Sequence, residues 1–189
     1  MKIGLLFGSF NPIHTGHLII ANHIANFYTK QVWFVVSPQN PLKKQTELLE
    51  ADKRLELTRL ATKNNPSFLV SDTEFYLSTP SFTINTLRVF TEKHKHIRFF
   101  LIIGSDNFLN FSKWTSSDEI LNKYNMLVYE RPGFPLPNKY YHHNLQFIKS
   151  ALINISSTEI RELITKNKSI RYLVPDNVRL AIEKNSYYK

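Results

Sequence analysis

The stretch Gly8-Ser9-Phe10-Asn11-Pro12-Ile13-His14-Thr15-Gly16-His17 decides how this chain folds. It follows a short, mostly apolar run at residues 3–7, and it leads into a segment in which apolar residues such as Ile20 and Ile24 recur at helical spacing. This pattern predicts a buried strand, a tight loop and then a helix that packs on a sheet. Glycine permits close backbone approach, and a helix that begins near Thr15 points free amide groups beyond the strand. The stretch therefore predicts a site for an anion such as a phosphate group.

The alternation of strand and helix continues along the chain. Further strands are predicted at residues 32–36, 68–70, 99–103, 126–129 and 151–155, and helices at residues 51–63, 82–90, 156–164 and 175–183. Strands that alternate with helices indicate an α/β fold with a doubly wound parallel sheet. We expect a single domain over residues 1–189, with residues 156–189 as its small C-terminal helical portion.

A second strand end carries polar residues and a glycine. The fourth predicted strand runs into Gly104-Ser105-Asp106, so three of the five glycines (Gly8, Gly16 and Gly104) lie near the ends of strands one and four. With the common strand order 3-2-1-4-5, ligands bind between these two ends. Asp106 is a candidate acceptor of hydrogen bonds from a ligand at this strand end, and helix capping is its alternative role.

Two histidines stand at the predicted start of the first helix. His14 and His17 are three residues apart, so on a helix they share one face near its positive end, within reach of one anion. They could instead be two solvated histidines or half of a metal site. A metal is disfavoured because two histidines do not fill a coordination shell and no third ligand follows at a zinc-site spacing. We expect no metal ligands from the chain itself.

The composition narrows the class of protein. With 189 residues, of which 42% are hydrophobic and 21% charged, the chain can form a globular core. It has no run of about 18 apolar residues and no signal-peptide pattern, so we expect no membrane partner. Cysteine is absent, which excludes disulfides, thiolate nucleophiles and cysteine-ligated metals. These features predict a cytoplasmic protein.

The chain carries an excess of positive charge. Its 24 lysines and arginines outnumber 15 acidic residues and give a formal net charge of +9. This excess predicts an anionic partner, either a polyanion such as RNA or a small phosphorylated substrate, unless it serves only solubility. Because the longest basic runs have two residues, we do not expect a nucleic-acid partner.

Several motifs resemble those of a known superfamily. Residues 8–18, the pair Gly104 and Asp106, and the run Ile-Ser-Ser-Thr-Glu-Ile-Arg at residues 155–161 resemble the signature blocks of nucleotidyltransferases. The histidine block is shared with pantetheine-phosphate adenylyltransferases, cytidylyltransferases and class I aminoacyl-tRNA synthetases. Blocks at residues 37–44, 81–87, 114 and 131–133 complete, in order, a pattern that resembles nicotinate mononucleotide adenylyltransferases.

The resemblance implies a fold and a reaction. The fold is the Rossmann-like nucleotidyltransferase fold. The reaction transfers AMP from ATP to nicotinate mononucleotide, which gives deamido-NAD and pyrophosphate in NAD biosynthesis, with Mg²⁺ as counterion of the phosphates. The alternatives are another acceptor, such as nicotinamide mononucleotide or phosphopantetheine, or a noncatalytic module that binds nucleotides or RNA. A homo-oligomer is compatible with the sequence.

The resemblance also implies the residues that bind ATP. Those that would act directly on its phosphates are His14, His17, Lys44 and Arg161. The remaining implied ATP-binding residues are Gly8, Ser9, Phe10, Gly16, Gly104, Asp106, Arg131, Ile155, Ser156, Ser157 and Thr158. Lys44 could alternatively be a solvated loop lysine, and residues 156–158 could act only as a helix N-cap, since serine and threonine cap helices well.

The acceptor nucleotide is implied to lie against Trp114, whose indole offers a stacking face. The resemblance adds Thr83, Thr86 and Thr115 to this subsite. Trp114 could alternatively be a core residue. The chain departs from the family pattern at Asn11, where an aspartate is usual, and at Thr115, where an aromatic residue is common. Because asparagine also favours tight turns, we expect little effect from Asn11.

Overall fold

A computed structural model of the protein describes residues 1–40, 48–137 and 141–189. Within these residues a parallel sheet is formed by β1 (Lys2–Gly8), β2 (Gln31–Val36), β3 (Phe68–Ser71), β4 (Arg98–Gly104), β5 (Asn125–Tyr129) and β6 (Leu145–Ile148). The strand order is β3-β2-β1-β4-β5-β6, and each neighbouring pair is parallel. The predicted α/β fold with a doubly wound parallel sheet is confirmed, including the order of its first five strands.

In the described part of the chain, helices connect the strands or follow the last of them. They are α1 (Thr15–Phe27), α2 (Ala51–Thr62), α3 (Thr83–Lys93), α4 (Ser105–Phe108), α5 (Ser117–Lys123), α6 (Ser157–Thr165) and α7 (Asp176–Lys184). Among the described residues, short 3-10 turns lie at Thr73–Tyr76 and Phe111–Lys113. The predicted helices agree with α1, α2, α3, α6 and α7 to within a few residues, whereas the short α4 and α5 were not predicted. None of the helices in the described part of the chain is long and apolar enough to cross a membrane.

The sixth strand lies at residues 145–148, so the predicted strand at residues 151–155 is wrong. Leu145 is paired with Met126 of β5, whereas residues 151–155 have no regular secondary structure. The pairing begins at Asn144, whose carbonyl accepts a hydrogen bond from the Met126 amide at 2.7 Å. The Asn144 side chain also donates to the carbonyls of Leu121 and Asn122. These contacts select the strand, because an apolar run without a pairing partner does not form one.

The sheet separates two layers of buried side chains. Alternate residues of a strand point to opposite faces, so in β2 Phe34 belongs to a first core layer and Val35 to a second. Ile24 of α1 and Ile160 of α6 lie in the first layer, and Leu87 of α3 lies in the second. Full burial of such a side chain contributes about 1.5–3 kcal/mol. Helix α6 therefore packs into the same layer as α1.

Candidate active site

Two cavities lie at the carboxyl end of the sheet, with volumes of about 210 Å³ and about 20 Å³. The larger cavity is lined by Leu6, Phe7, Gly8, Ser37, Asn40, Ser81, Phe82, Thr83, Ile102, Ile103, Gly104, Asn107, Lys113, Trp114, Thr115 and Tyr129. The smaller cavity is lined by His14, Gly16, His17, Ile20, Tyr129, Glu130, Arg131, Pro132, Ala151, Ile153 and Ile155. Tyr129, the last residue of β5, lines both.

The cavities lie where the strand order reverses. From β1 the chain proceeds to β2 and β3 on one side and then returns to β4 on the other side of β1. Gly8 ends β1 and Gly104 ends β4. A Cβ atom on Gly104 would approach Cδ of Arg131 to 2.9 Å, so the close packing of Arg131 against the strand end requires glycine there. Ligands of doubly wound sheets bind at this point.

Residues 9–13, which we call the β1 turn, are buried and have an unusual backbone. Phe10 has a φ angle of +43° and is only 2% exposed. Its ring contacts Phe34 and lies edge-on to His17, with centroids 5.7 Å and 5.1 Å apart. A left-handed backbone at a residue other than glycine costs about 1–3 kcal/mol, so the surrounding contacts must hold it in place.

The two histidines of the first helix stack on each other. Their ring centroids are 3.6 Å apart, with 26° between the ring planes. The main-chain N–H of His14 donates to Nδ1 of His17 at 3.2 Å. Because Nδ1 of His17 accepts this hydrogen bond, a neutral His17 carries its proton on Nε2. His17 can therefore offer an N–H donor from the far side of its ring.

His14 is neutral at physiological pH. Its side chain is 4% exposed, and burial lowers its pKa to about 3, with a further contribution from the positive charge of Arg131. Among the described residues, Nδ1 of His14 has no hydrogen-bond partner. An imidazole that stays uncharged beside a cation can donate or accept a hydrogen bond without adding to the repulsion between like charges.

Ser105 connects the end of β4 to the segment that follows β5. Its hydroxyl donates to the carbonyl of Phe134 at 2.5 Å and accepts from the main-chain N–H of Arg131 at 2.9 Å. These bonds hold Arg131 at the smaller cavity, where its Nε lies 3.8 Å from Oδ2 of Asp106. Each of the two side chains is 30% exposed, so the charges remain accessible to a ligand.

The start of α6 docks on the β1 turn. Ser157 donates from its hydroxyl to the carbonyl of Pro12, and Arg161 donates from Nη1 to the carbonyl of Asn11, both at 2.9 Å. The Ser156 hydroxyl accepts from the main-chain N–H of Glu159 at 3.1 Å and caps the helix. These contacts bring Arg161 to within three residues of His14 along the turn, although 147 positions separate them in the sequence.

Comparison with known proteins identifies the family. The family model for cytidylyltransferase-like proteins matches residues 5–163. A probable nicotinate-nucleotide adenylyltransferase of Cytophaga hutchinsonii is 46% identical over 189 residues, which covers all of this chain and 98% of the relative. The chain belongs to the nicotinate-nucleotide adenylyltransferase family. A probable nicotinate-nucleotide adenylyltransferase of Flavobacterium psychrophilum is 45% identical, and the match covers the whole of both chains.

A solved structure shares the fold of this nicotinate-nucleotide adenylyltransferase family member. The nicotinic acid mononucleotide adenylyltransferase of Plasmodium falciparum, complexed with NaAD, has a TM-score of 0.84 and 22% sequence identity. The match covers 99% of this chain and 97% of that chain. At this level of identity the likeness establishes the fold.

The residues that the nicotinate-nucleotide adenylyltransferase motifs imply for ATP lie at the two cavities, in the β1 turn and at the start of α6, apart from Lys44. His14, Gly16, His17, Arg131 and Ile155 line the smaller cavity, and Gly8 and Gly104 line the larger one. Ser9 and Phe10 lie in the β1 turn, and Asp106 lies beside Arg131. Ser156, Ser157, Thr158 and Arg161 lie at the start of α6. Lys44 lies outside the described residues.

Only some of the residues implied for the acceptor nucleotide line the same cavity. Thr83, Trp114 and Thr115 line the larger cavity. Thr86 does not: it is 1% exposed, and its hydroxyl donates to Oε1 of Glu74 at 2.8 Å. The Thr86 hydroxyl is therefore engaged behind the cavity wall. Trp114 also packs on Phe111 and on the second core layer. It therefore has both the cavity position that the motif implies and the core position given as its alternative.

Two buried charged residues next to the site, Arg54 and Glu74, were not predicted from the sequence. Both are 1% exposed. Arg54 donates to the carbonyls of Ser9 and Ser37, at the ends of β1 and β2. Burial raises the pKa of Glu74. No signal in the sequence distinguishes either from a solvated residue, because their burial depends on segments that are distant in the chain.

Proposed function

We propose that the protein transfers the AMP part of ATP to nicotinate mononucleotide, which forms deamido-NAD and releases pyrophosphate in the biosynthesis of NAD. The observation that carries the proposal is the stacked pair of His14 and His17 beside Arg131 at the smaller cavity, next to a larger cavity with an indole in its wall. Membership of the nicotinate-nucleotide adenylyltransferase family supports it. A cytoplasmic location, expected from the composition, belongs to the same proposal.

The reacting groups belong to the two substrates. An oxygen of the acceptor's phosphate attacks the α-phosphorus of ATP, a new P–O bond forms, and the bond from that phosphorus to the bridging oxygen of the β-phosphate breaks. The electron pair of that bond leaves with pyrophosphate. The protein therefore needs to align the two phosphates and stabilise the developing negative charge, and it does not need to supply a nucleophile.

Each cationic or donor group has a place in this scheme. We assign the Nε2–H of His17 to the α-phosphate, because Nδ1 is held by the His14 main chain. His14 adds a neutral imidazole at the same place. Arg161 and the amides at the start of α6 are assigned to the β- and γ-phosphates, since a helix N-terminus attracts anions. Lys44 is assigned to the same phosphates from the sequence motif alone.

The larger cavity suits the pyridine ring of the acceptor. Trp114 offers a stacking surface for the ring. Thr83 is the first residue of α3, and the first turn of α3 contains no acidic residue. The positive end of this helix thus faces the cavity, which favours the carboxylate of nicotinate over the neutral amide of nicotinamide.

Transfer from ATP typically needs a divalent metal, here Mg²⁺. Among residues 1–40, 48–137 and 141–189, no three histidine or acidic side chains are grouped as metal ligands. Magnesium in nucleotide sites is commonly held by substrate phosphates, waters and one or two carboxylates. The phosphates of ATP and waters would therefore hold the ion. Asp106 is assigned to the ribose hydroxyls of ATP, because its Oδ1 is buried and has no hydrogen-bond partner in the described part of the chain. The bound ion would neutralise phosphate charge.

Release of pyrophosphate by the purified protein tests the proposal. The protein is incubated with ATP, Mg²⁺ and one of three acceptors: nicotinate mononucleotide, nicotinamide mononucleotide or phosphopantetheine. We expect the highest kcat/KM with nicotinate mononucleotide and formation of deamido-NAD. Absence of turnover with this acceptor would refute the proposal, and faster turnover with another acceptor would reassign the substrate.

A further inference from the structure

Arg54, near the start of α2, makes four hydrogen bonds to main-chain carbonyls. Its Nη1 donates to Ser9 at 2.6 Å and to Ser37 at 2.8 Å. Its Nη2 donates to Pro38 at 2.7 Å, and its Nε donates to Leu49 at 2.7 Å. One guanidinium thus joins the end of β1, the end of β2 and the residues that precede α2.

This bonding is unusual for a buried arginine. Buried arginines are commonly paired with a carboxylate, but all four of the acceptors given above for Arg54 are carbonyl oxygens. Burial of a charge is a poor way to gain stability, and well-packed apolar residues often stabilise a fold as well or better. The hydrogen bonds of Arg54 are therefore better explained by the backbone segments that they hold in place than by a gain in stability.

The most consequential of these bonds is the one to Ser9. The peptide bond between Ser9 and Phe10 is trans, so its C=O and N–H point in opposite directions. Because the carbonyl faces Arg54, the Phe10 N–H points away from the guanidinium. Phe10 is also the residue with the left-handed backbone, at a φ angle of +43°.

The other side of Phe10 is fixed by the same network. The Leu49 N–H donates to Oδ1 of Asn11 at 3.0 Å, while the Leu49 carbonyl accepts from Arg54. The carbonyl of Asn11 accepts from Arg161. Phe10 therefore lies between two residues whose carbonyl groups are each held by an arginine.

We propose that Arg54 is a positioning residue for the ATP site, which holds the β1 turn in its left-handed conformation and thereby fixes the position of His14, which follows the turn and lines the smaller cavity. Arg54 acts through Ser9 and Leu49 and does not itself contact the substrate. The inference rests on the proposed function for the identity of the nucleotide as ATP. It adds a residue that no motif of the sequence identified.

The test compares Arg54→Lys and Arg54→Gln with Thr58→Val. Thr58 is a matched control, because it is fully buried one turn further along α2 and its hydroxyl donates to the Arg54 carbonyl at 2.7 Å, away from the turn. ATP binding is measured by calorimetry without acceptor, and Tm is recorded for each variant. We expect about tenfold weaker ATP binding for both Arg54 variants, and binding within twofold of the original protein for Thr58→Val.

Folded Arg54 variants that bind ATP within twofold of the original protein would overturn the proposal, as would equal weakening in Thr58→Val. If the Arg54 variants do not fold, the original protein decides the question. The Nε–H of Arg54 is expected to exchange with solvent more slowly when ATP is bound, because ATP binds only the state in which the guanidinium holds the turn; an exchange rate that saturating ATP leaves unchanged would refute the inference. Because these measurements contain no acceptor, failure of adenylyl transfer in the original protein is a separate result.

Discussion

At the scale of single residues, His17 provides the most direct test of the chemistry. Loss of one preorganised donor to a transition state typically lowers kcat by about 10²–10³. We expect His17→Ala to show a loss of this size in pyrophosphate release and to remain folded. His96→Ala is the control, because His96 is exposed and far along the chain from the β1 turn. A folded His17→Ala variant with a near-normal rate would remove His17 from the mechanism.

His14 makes stability depend on pH. Its pKa is about 3 in the folded protein and close to 6.5 when unfolded, so between these values the unfolded chain binds a proton that the folded chain does not. We therefore expect the contribution of His14 to the free energy of unfolding to decrease by about 1.4 kcal/mol for each pH unit below pH 6.5. The free energy of unfolding is measured by urea titration between pH 4.5 and pH 7.5 for the original protein and for the His14→Gln variant. Parallel pH profiles would contradict this expectation.

Among single residues, buried charged residues could not be predicted from the sequence. The glycines, His14 and His17 were identified because their spacing after a strand has a physical meaning. Arg54 stands among other polar residues of α2, and such a pattern usually indicates a solvated face. It is buried where it meets the carbonyls of Ser9 and Ser37, which directly follow β1 and β2. Local periodicity contains no information about such contacts.

At the scale of elements, α3 is expected to control the choice of acceptor. Thr83→Asp places a negative charge in the first turn of α3, at the wall of the larger cavity. We expect the preference for nicotinate over nicotinamide mononucleotide, measured as the ratio of kcat/KM values, to fall about tenfold, which corresponds to about 1.4 kcal/mol. Folding should persist, because an acidic residue stabilises a helix start.

Asn85→Asp is the matched control for this prediction. It adds the same charge to the same turn with almost no change of shape, and Asn85 does not line the larger cavity. A smaller change of acceptor preference is expected than for Thr83→Asp. Equal changes in both variants would show that the charge acts through the helix as a whole, and no change in Thr83→Asp would contradict the assignment of the subsite.

The two candidate sixth strands illustrate why elements are less predictable than residue types. Ala151, Ile153 and Ile155 form an apolar alternation, but they line the smaller cavity. The strand forms instead at residues 145–148, where Asn144 and Met126 set the register with β5. Strand formation is decided by the partner edge, whereas the five strands before it were recognisable because they are separated by helices.

At the scale of the whole molecule, the two core layers are expected to unfold together. Ile160 lies in the first layer, and both tryptophans, Trp33 and Trp114, pack in the second. Ile160→Ala should lower the free energy of unfolding by about 2–5 kcal/mol. We expect the same loss from tryptophan fluorescence as from circular dichroism, because the sheet connects both layers. Separate transitions would contradict the single domain predicted from the sequence.

The overall architecture was the most predictable level. Strands that alternate with helices allow few topologies, and the observed order β3-β2-β1-β4-β5 is the common one. This order alone places the ends of β1 and β4 side by side. The volumes of the cavities and the docking of α6 on the β1 turn could not be predicted, since they depend on side chains that meet only after folding.

Tyr129 separates the two cavities as a common wall, and it is nearly buried. A substitution of this one side chain, such as Tyr129→Leu, therefore changes the lining of both cavities at once. If the two cavities hold the two substrates, the KM values for both are expected to change in this variant, whereas Thr83→Asp changes the wall of the larger cavity alone.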